Sequence, residues 1–162
     1  MNPILRFIWV WGGGAAAVLV GLMAYFRGGT PEKWGAAIFL ASWFVPSEID
    51  SLFGHFGHHH GFRAVLFAGD ALATIAYLIV GLRWWRLWAF ACAGSQLAAV
   101  LTHILTWYTV GGRTWSYITL ADIFGGDLPM IILGIGVVLA PRLRFDNRTD
   151  GRRLPAIEPR GD

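Results

Sequence analysis

Long apolar stretches alternate with short polar connections along this chain, and the pattern predicts an all-α integral membrane bundle. Five stretches reach the roughly 20 residues needed to cross a hydrocarbon core of about 30 Å. They cover residues 7–26, 34–53, 64–82, 87–110 and 115–140. Because the connections are short, consecutive helices are expected to be antiparallel. We therefore expect a transmembrane domain at residues 1–140 and a flexible basic cytoplasmic tail at 141–162.

Composition agrees with a lipid environment. Hydrophobic residues make up 56% of the chain and charged residues 14%, whereas soluble domains carry about 25% charged residues. The single cysteine excludes an intramolecular disulfide and a zinc site built on several cysteines. The basic residues lie at the ends of apolar stretches and in the tail, which is typical of membrane topology rather than of nucleic-acid binding. The expected partner is thus the lipid bilayer, with no nucleic acid.

The distribution of basic residues also predicts an orientation. With five spans, ten of the thirteen Lys and Arg residues fall on the side that holds the C-terminus. Cytoplasmic segments of membrane proteins carry such an excess. Eight of the nine tryptophans lie near predicted span ends, where indole rings prefer to be. The N-terminus is therefore expected outside and the C-terminus in the cytoplasm, with the protein in the bacterial inner (plasma) membrane.

Ionisable side chains interrupt the apolar stretches at a common depth. Asp70, His103 and Asp122 each lie about six or seven residues from the predicted outer end of their span, or about 10 Å deep at 1.5 Å per residue. An ionisable group there costs roughly 2.5–3.5 kcal/mol and usually faces a partner inside the bundle. We expect these three to converge, with Gln96 on the same stripe as His103 and Asp127 close by.

Three interpretations of this cluster stay open from the residues. Polar side chains can hold membrane helices together, can carry a proton or a cation, or can catalyse a reaction. No catalytic motif accompanies them, so an enzyme is the least favoured. Proton or cation handling is the sharper hypothesis, and a non-catalytic accessory subunit or interaction module of a larger membrane complex is the alternative.

The last apolar stretch contains residues that break helices. Gly125 and Gly126 are adjacent, and Pro129 follows within one turn. Interrupted spans beside carboxylates occur at transporter ion sites, and a simple kink is the other interpretation. A local break in this helix is therefore expected.

A histidine-rich segment occupies the second predicted connection, which lies on the outer side. Imidazole and carboxylate groups together suit divalent transition metals. The candidate ligands are His55, His58, His59, His60, Glu48 and Asp50. A polar loop that merely titrates near neutral pH is the alternative to a metal site.

Between Asp70 and Tyr117 the chain resembles small uncharacterised bacterial multi-span inner-membrane proteins. The residues that carry this resemblance are Asp70, Leu82-Arg83, Arg86-Leu-Trp88, Gln96-Leu97, Thr102-His103 and Trp115-Ser-Tyr117. They cover under a third of the chain. The resemblance implies a membrane helical bundle and implies no activity.

Cysteine labelling in intact cells tests the orientation, on a Cys92→Ala background. We expect Gly57→Cys to react with a membrane-impermeant thiol reagent and Thr149→Cys to be protected. Permeabilised cells, in which both should react, provide the control. Protection of position 57 with labelling of position 149 would invert the topology.

Overall fold

The computed structural model describes residues 3–52, 60–108 and 120–149. These residues are helical apart from two short connections, and no strand occurs among them, so the all-α class is confirmed. The helices are α1 (Pro3–Arg27), α2 (Thr30–Leu52), α3 (His60–Trp84), α4 (Leu87–Tyr108) and α5 (Leu128–Thr149), with a π-helical turn at Ile123–Asp127 leading into α5.

Within the described ranges, three helical segments are long and apolar enough to cross a membrane. They are Ala64–Trp84, Leu87–Thr106 and Leu120–Leu139. A further apolar segment in α1, Gly12–Arg27, is shorter. Large apolar side chains such as Leu72, Ile79 and Leu105 are exposed on the outside of the bundle, which is the surface that lipid would cover. The helices thus have the composition of a membrane protein.

The last helix passes the predicted end of its span. It continues to Thr149, whereas the apolar pattern placed the start of the tail at residue 141. Residues 150–162 lie outside the described part of the chain, so the rest of the tail expectation stays a prediction.

Two very short connections force neighbouring helices into hairpins. Between α1 and α2, the backbone N–H of Gly29 donates to Oε2 of Glu32 at 2.8 Å, which is half of a capping box that starts α2. Between α3 and α4, Trp85 adopts a left-handed backbone with φ of 52°, and the N–H of Arg86 donates to Gly81 O at 3.3 Å. Both hairpins are therefore closed by local backbone chemistry.

The five helices form a closed ring in chain order. Each helix packs against the next, α1 packs against α5, and α2 also reaches α5 across the ring. Small side chains let the helices approach closely; buried alanines include Ala17, Ala36, Ala73 and Ala99. Residues pointing into the ring therefore meet side chains from several helices at once.

Trp88 at the start of α4 shows how close this packing is. Its ring lies against Gly35 of α2 and Gly136 of α5: a Cβ at Gly35 would sit 2.8 Å from ring atom Cζ3, and one at Gly136 would sit 2.8 Å from Cδ1. Real Cβ contacts are essentially never this short. Two glycines on different helices therefore create the slot that this indole fills.

Gly35→Ala should lower the free energy of unfolding by about 1–3 kcal/mol, the usual cost of overpacking. Gly94→Ala on α4 is the matched control, because a Cβ there meets no heavy atom within 4 Å and alanine favours a helix interior by up to about 1 kcal/mol. Thermal unfolding of the purified variants in detergent measures both. Equal stability of the two variants would contradict the Trp88 slot.

Candidate functional site

A buried carboxylate–imidazole pair joins α3 to α4. His103 Nε2 lies 2.9 Å from Asp70 Oδ2. The side chain of His103 is 1% exposed and that of Asp70 is 13% exposed. Because α3 and α4 are antiparallel neighbours, residues of equal depth come level, and these two side chains meet as their spacing predicted. The two groups are within hydrogen-bonding distance of each other.

The surroundings of the pair fix both partners. The Phe67 ring stands edge-on to the His103 ring, with centroids 6.3 Å apart. The second carboxylate oxygen of Asp70, Oδ1, faces Gly125, where an added Cβ would lie 3.3 Å away. Any residue larger than glycine at position 125 would therefore press on the carboxylate. The pair is held between an aromatic ring and the interrupted last helix.

The expected break in the last helix is the π-helical turn, and Pro129 accounts for its loose hydrogen bonds. Leu128 donates to Ile123 O in the i→i−5 pattern of a π-helix. The next donor would be the N–H of residue 129, which proline lacks. At the i→i−5 spacing of a π-helix that N–H would donate to Phe124 O, and at the i→i−4 spacing of an α-helix it would donate to Gly125 O. The proline therefore removes the one backbone donor that could serve either of these two adjacent carbonyls.

Side chains of α4 replace that missing donor. The Ser95 hydroxyl donates to Phe124 O at 2.6 Å, and Gln96 Nε2 donates to Gly125 O at 2.9 Å. Both α4 residues are buried. One turn earlier on α4, Cys92 Sγ lies 3.7 Å from Pro129 O. Gln96, which the sequence placed in the cluster, thus binds the helix break rather than His103.

Asp122, the third expected member of the cluster, lies immediately before the π turn. It is exposed, and no hydrogen bond or ion pair links it to Asp70 or His103 within the described residues. Helical spacing aligned Asp122 with Gly126, but the π turn inserts an extra residue between them and rotates the helix face. The contact that the structure shows within the expected cluster is therefore that of Asp70 with His103. Asp127, at the end of the turn, is half-buried and likewise joins neither partner.

Trp43 closes the interior on the other side of the turn. A Cβ at Gly126 would lie 2.8 Å from its Cζ3 atom, and one at Gly13 would lie 3.4 Å from its Cζ2 atom. The ring also packs at 5.7 Å from the Phe39 ring. Trp43 is the tryptophan that the apolar pattern placed in the middle of a predicted span, far from the usual boundary position of indole rings. That exceptional depth was the sequence signal of a packing role.

A second buried ionic contact lies at the opposite end of the bundle, and the apolar pattern did not reveal it. Glu32 is 1% exposed, and its Oε1 lies 3.6 Å from Arg86 Nε. Oε1 of Glu32 and Nε of Arg86 are both buried and have no hydrogen-bond partner. Glu32 falls in a polar connection, where an exposed charge is the default interpretation. The capping-box spacing from Gly29 to Glu32 was the available signal that its carboxylate turns inward.

The predicted metal site falls largely outside the described residues. His55, His58 and His59 lie there entirely, as do the side chains of His60 and Asp50. Glu48 is exposed on α2. Among the side chains that are described, no group of three or more His, Cys, Asp and Glu residues is placed to hold a metal. Metal binding by the histidine-rich segment stays a prediction.

No protein-family model, curated protein or solved structure matches the chain. The functional argument therefore depends on the residues and on their geometry.

A double-mutant cycle tests the pair. Asp70→Asn and His103→Ala should be non-additive in the free energy of unfolding by about 0.5–3 kcal/mol, as residues in contact usually are. Asp122→Asn with His103→Ala is the matched control and should be additive, because Asp122 is exposed and outside the pair. Coupling of His103 to Asp122 but not to Asp70 would restore the sequence-based cluster and contradict this geometry.

Proposed function

We propose that this protein handles protons through the Asp70–His103 pair, as a five-span protein of the bacterial inner membrane with its N-terminus outside. The observation that supports this most is the 2.9 Å contact between a carboxylate and an imidazole that is 1% exposed. Imidazole is the side chain whose charge changes nearest to neutral pH. In the proposed orientation the pair lies in the outer half of the bundle.

The chemistry follows from charge in a low-dielectric interior. A carboxylate beside a neutral imidazole carries one net negative charge, and the pair with one added proton is neutral. Burial disfavours net charge, while the contact between opposite charges favours the ionised partners. In the proposed function the pair gains or releases one proton when water reaches the exposed part of Asp70. The proposed function is therefore reversible proton binding in which no substrate is converted.

The number of available oxygen ligands favours a proton over a divalent cation as the bound ion. Calcium takes six to eight oxygen ligands and magnesium requires six in near-octahedral geometry. Asp70 is the carboxylate seen in contact with His103, and within the described part of the chain no group of three or more His, Cys, Asp and Glu residues is placed to hold a metal. A proton needs only one acceptor, and the pair provides two.

An accessory role in a larger membrane complex is the second candidate, and two observations favour it. Asp122 is exposed in a segment long and apolar enough to span a membrane, and an exposed carboxylate is costly in lipid unless something covers it. An apolar groove of about 400 Å³ also runs between α1 and α5, lined by residues including Ala16, Val20 and Gly134. Contacts with other subunits would cover these features.

Nitrogen NMR of the histidine rings in purified protein tests proton binding directly. On titration from about pH 9 to about pH 5, where imidazole charges, we expect the His103 ring signal to report proton uptake by the pair. Comparison with His103→Gln assigns the signal. Asp70→Asn should change the titration of His103, whereas Asp122→Asn should leave it unchanged.

A His103 ring that keeps one protonation state over the whole range would remove the proton-binding function. The accessory role would then be the remaining account of the pair, with Asp70 and His103 serving only to hold α3 against α4.

A further inference from the structure

Both very short connections of the bundle lie at the same end, and a buried contact joins them. The chain passes from α1 to α2 at Gly28 and Gly29 and from α3 to α4 at Trp85 and Arg86. In the first turn of α2, Oε1 of Glu32 lies 3.6 Å from Nε of Arg86. The two helical hairpins are therefore held side by side at this end.

Basic side chains are concentrated at these two connections. Arg27 ends α1, Lys33 lies near the start of α2, Arg83 lies near the end of α3, and Arg86 directly precedes α4. We call these four residues the basic rim; they are all the Lys and Arg side chains that the structure describes. The described acidic side chains other than Glu32 lie at the level of the π turn or farther from the rim: Glu48, Asp70, Asp122 and Asp127.

One carboxylate does not neutralise the rim. Glu32 is 1% exposed, and it is engaged by the Gly29 N–H and by Arg86. Arg27, Lys33 and Arg83 are exposed, and within the described ranges no acidic side chain pairs with them. Four positive charges and one negative charge leave three positive charges at this end of the bundle.

Arg86 keeps its hydrogen-bond donors available although it contacts Glu32. A guanidinium group carries five N–H donors. Its Nε is buried and has no hydrogen-bond partner, because the 3.6 Å to Glu32 Oε1 is too long for a hydrogen bond. Glu32 therefore holds the guanidinium in place by charge alone. Phosphate oxygens are the acceptors that such a planar group binds in pairs.

Aromatic rings beside the rim place it at the membrane boundary. Nζ of Lys33 lies 5.0 Å from the centroid of the Tyr25 ring, and Cζ of Arg83 lies 5.8 Å from that of the Trp84 ring. Tyr25 is exposed, as is Trp85 at the tip of the second hairpin. Since Tyr and Trp rings prefer the level of lipid headgroups, the neighbouring cations lie where lipid phosphates lie.

We propose that the basic rim binds the headgroup of an anionic phospholipid. It offers net positive charge and free N–H donors, which favour a headgroup with net negative charge over a zwitterionic one, and basic clusters at the ends of membrane helices bind such lipids. Phe26 and Leu87 are exposed beside the rim, which favours a lipid over an acidic protein segment. The rim lies at the opposite end of α4 from His103, and its function does not depend on proton binding there.

Native mass spectrometry of the full-length protein in neutral detergent measures the binding. Phosphatidylglycerol is compared with phosphatidylcholine that has the same acyl chains, and wild type should bind phosphatidylglycerol more tightly. Lys33→Gln and Arg83→Gln should each weaken its binding by about fivefold, the contribution of one basic residue near an anionic lipid surface. Binding of phosphatidylcholine should be unchanged, and higher ionic strength should reduce the difference between the two lipids.

Matched variants separate the rim from net charge and from folding. Arg6→Gln removes the same charge near the start of α1, at the other end of that helix, and should bind both lipids like wild type. Arg83→Lys retains the charge and should retain most of the affinity. Lys33 and Arg83 are exposed and lie outside the buried ionic contact, which their neutralisation leaves in place. Arg27→Gln replaces either variant that does not fold.

Three results would overturn the lipid site. Equal binding of the two lipids by wild type is the first. The second is a loss of affinity in Arg6→Gln as large as that in Arg83→Gln, because net charge would then explain the preference. The third is displacement of phosphatidylglycerol by inorganic phosphate or by polyglutamate at matched concentration, which would assign the rim to a free anion or to an acidic protein segment.

Discussion

The hydrogen bonds that Pro129 cannot make determine much of this bundle. In hydrocarbon no water is available to satisfy a free carbonyl, so every such group must find a partner within the protein. Ser95 and Gln96 supply that partner for Phe124 and Gly125. The contact fixes α4 against the last helix at one height and one rotation. The position of every other residue on the buried face of α4, His103 included, follows from that registration.

The π turn also creates the space in which the ionic pair lies. Its two glycines let Asp70 approach Gly125 from α3 and Trp43 approach Gly126 from α2. A regular helix with side chains at these positions would hold α2 and α3 farther away. The helix break, the indole and the carboxylate therefore form one packing unit. This unit depends on Pro129, on the two glycines, and on the two α4 donors together.

Much of this was predictable from residue spacing. Equal depth on antiparallel neighbouring helices indicated that Asp70 and His103 lie close together. The Gly-Gly-x-x-Pro pattern predicted a break in the last helix. Asp122 was grouped with Asp70 and His103 by its depth and by helical spacing, and neither determines the direction of a side chain beside a π turn, which departs from 3.6 residues per turn. Glu32 was missed because the hydrophobic pattern records average polarity, not the direction of one side chain. The sequence did not indicate that Ser95 and Gln96 donate to Phe124 O and Gly125 O, because that depends on which helix packs against the π turn.

Placement of the Asp70–His103 contact within a single hairpin has a consequence for how the chain enters the membrane. The two helices are joined by little more than Trp85 and Arg86, and Trp85 is 82% exposed at the tip, suited to the lipid headgroup region. A contact internal to one hairpin does not wait for the other helices. Asp70 and His103 can therefore partition into lipid already joined by their hydrogen bond, instead of crossing the bilayer as two separate polar groups that each resist insertion.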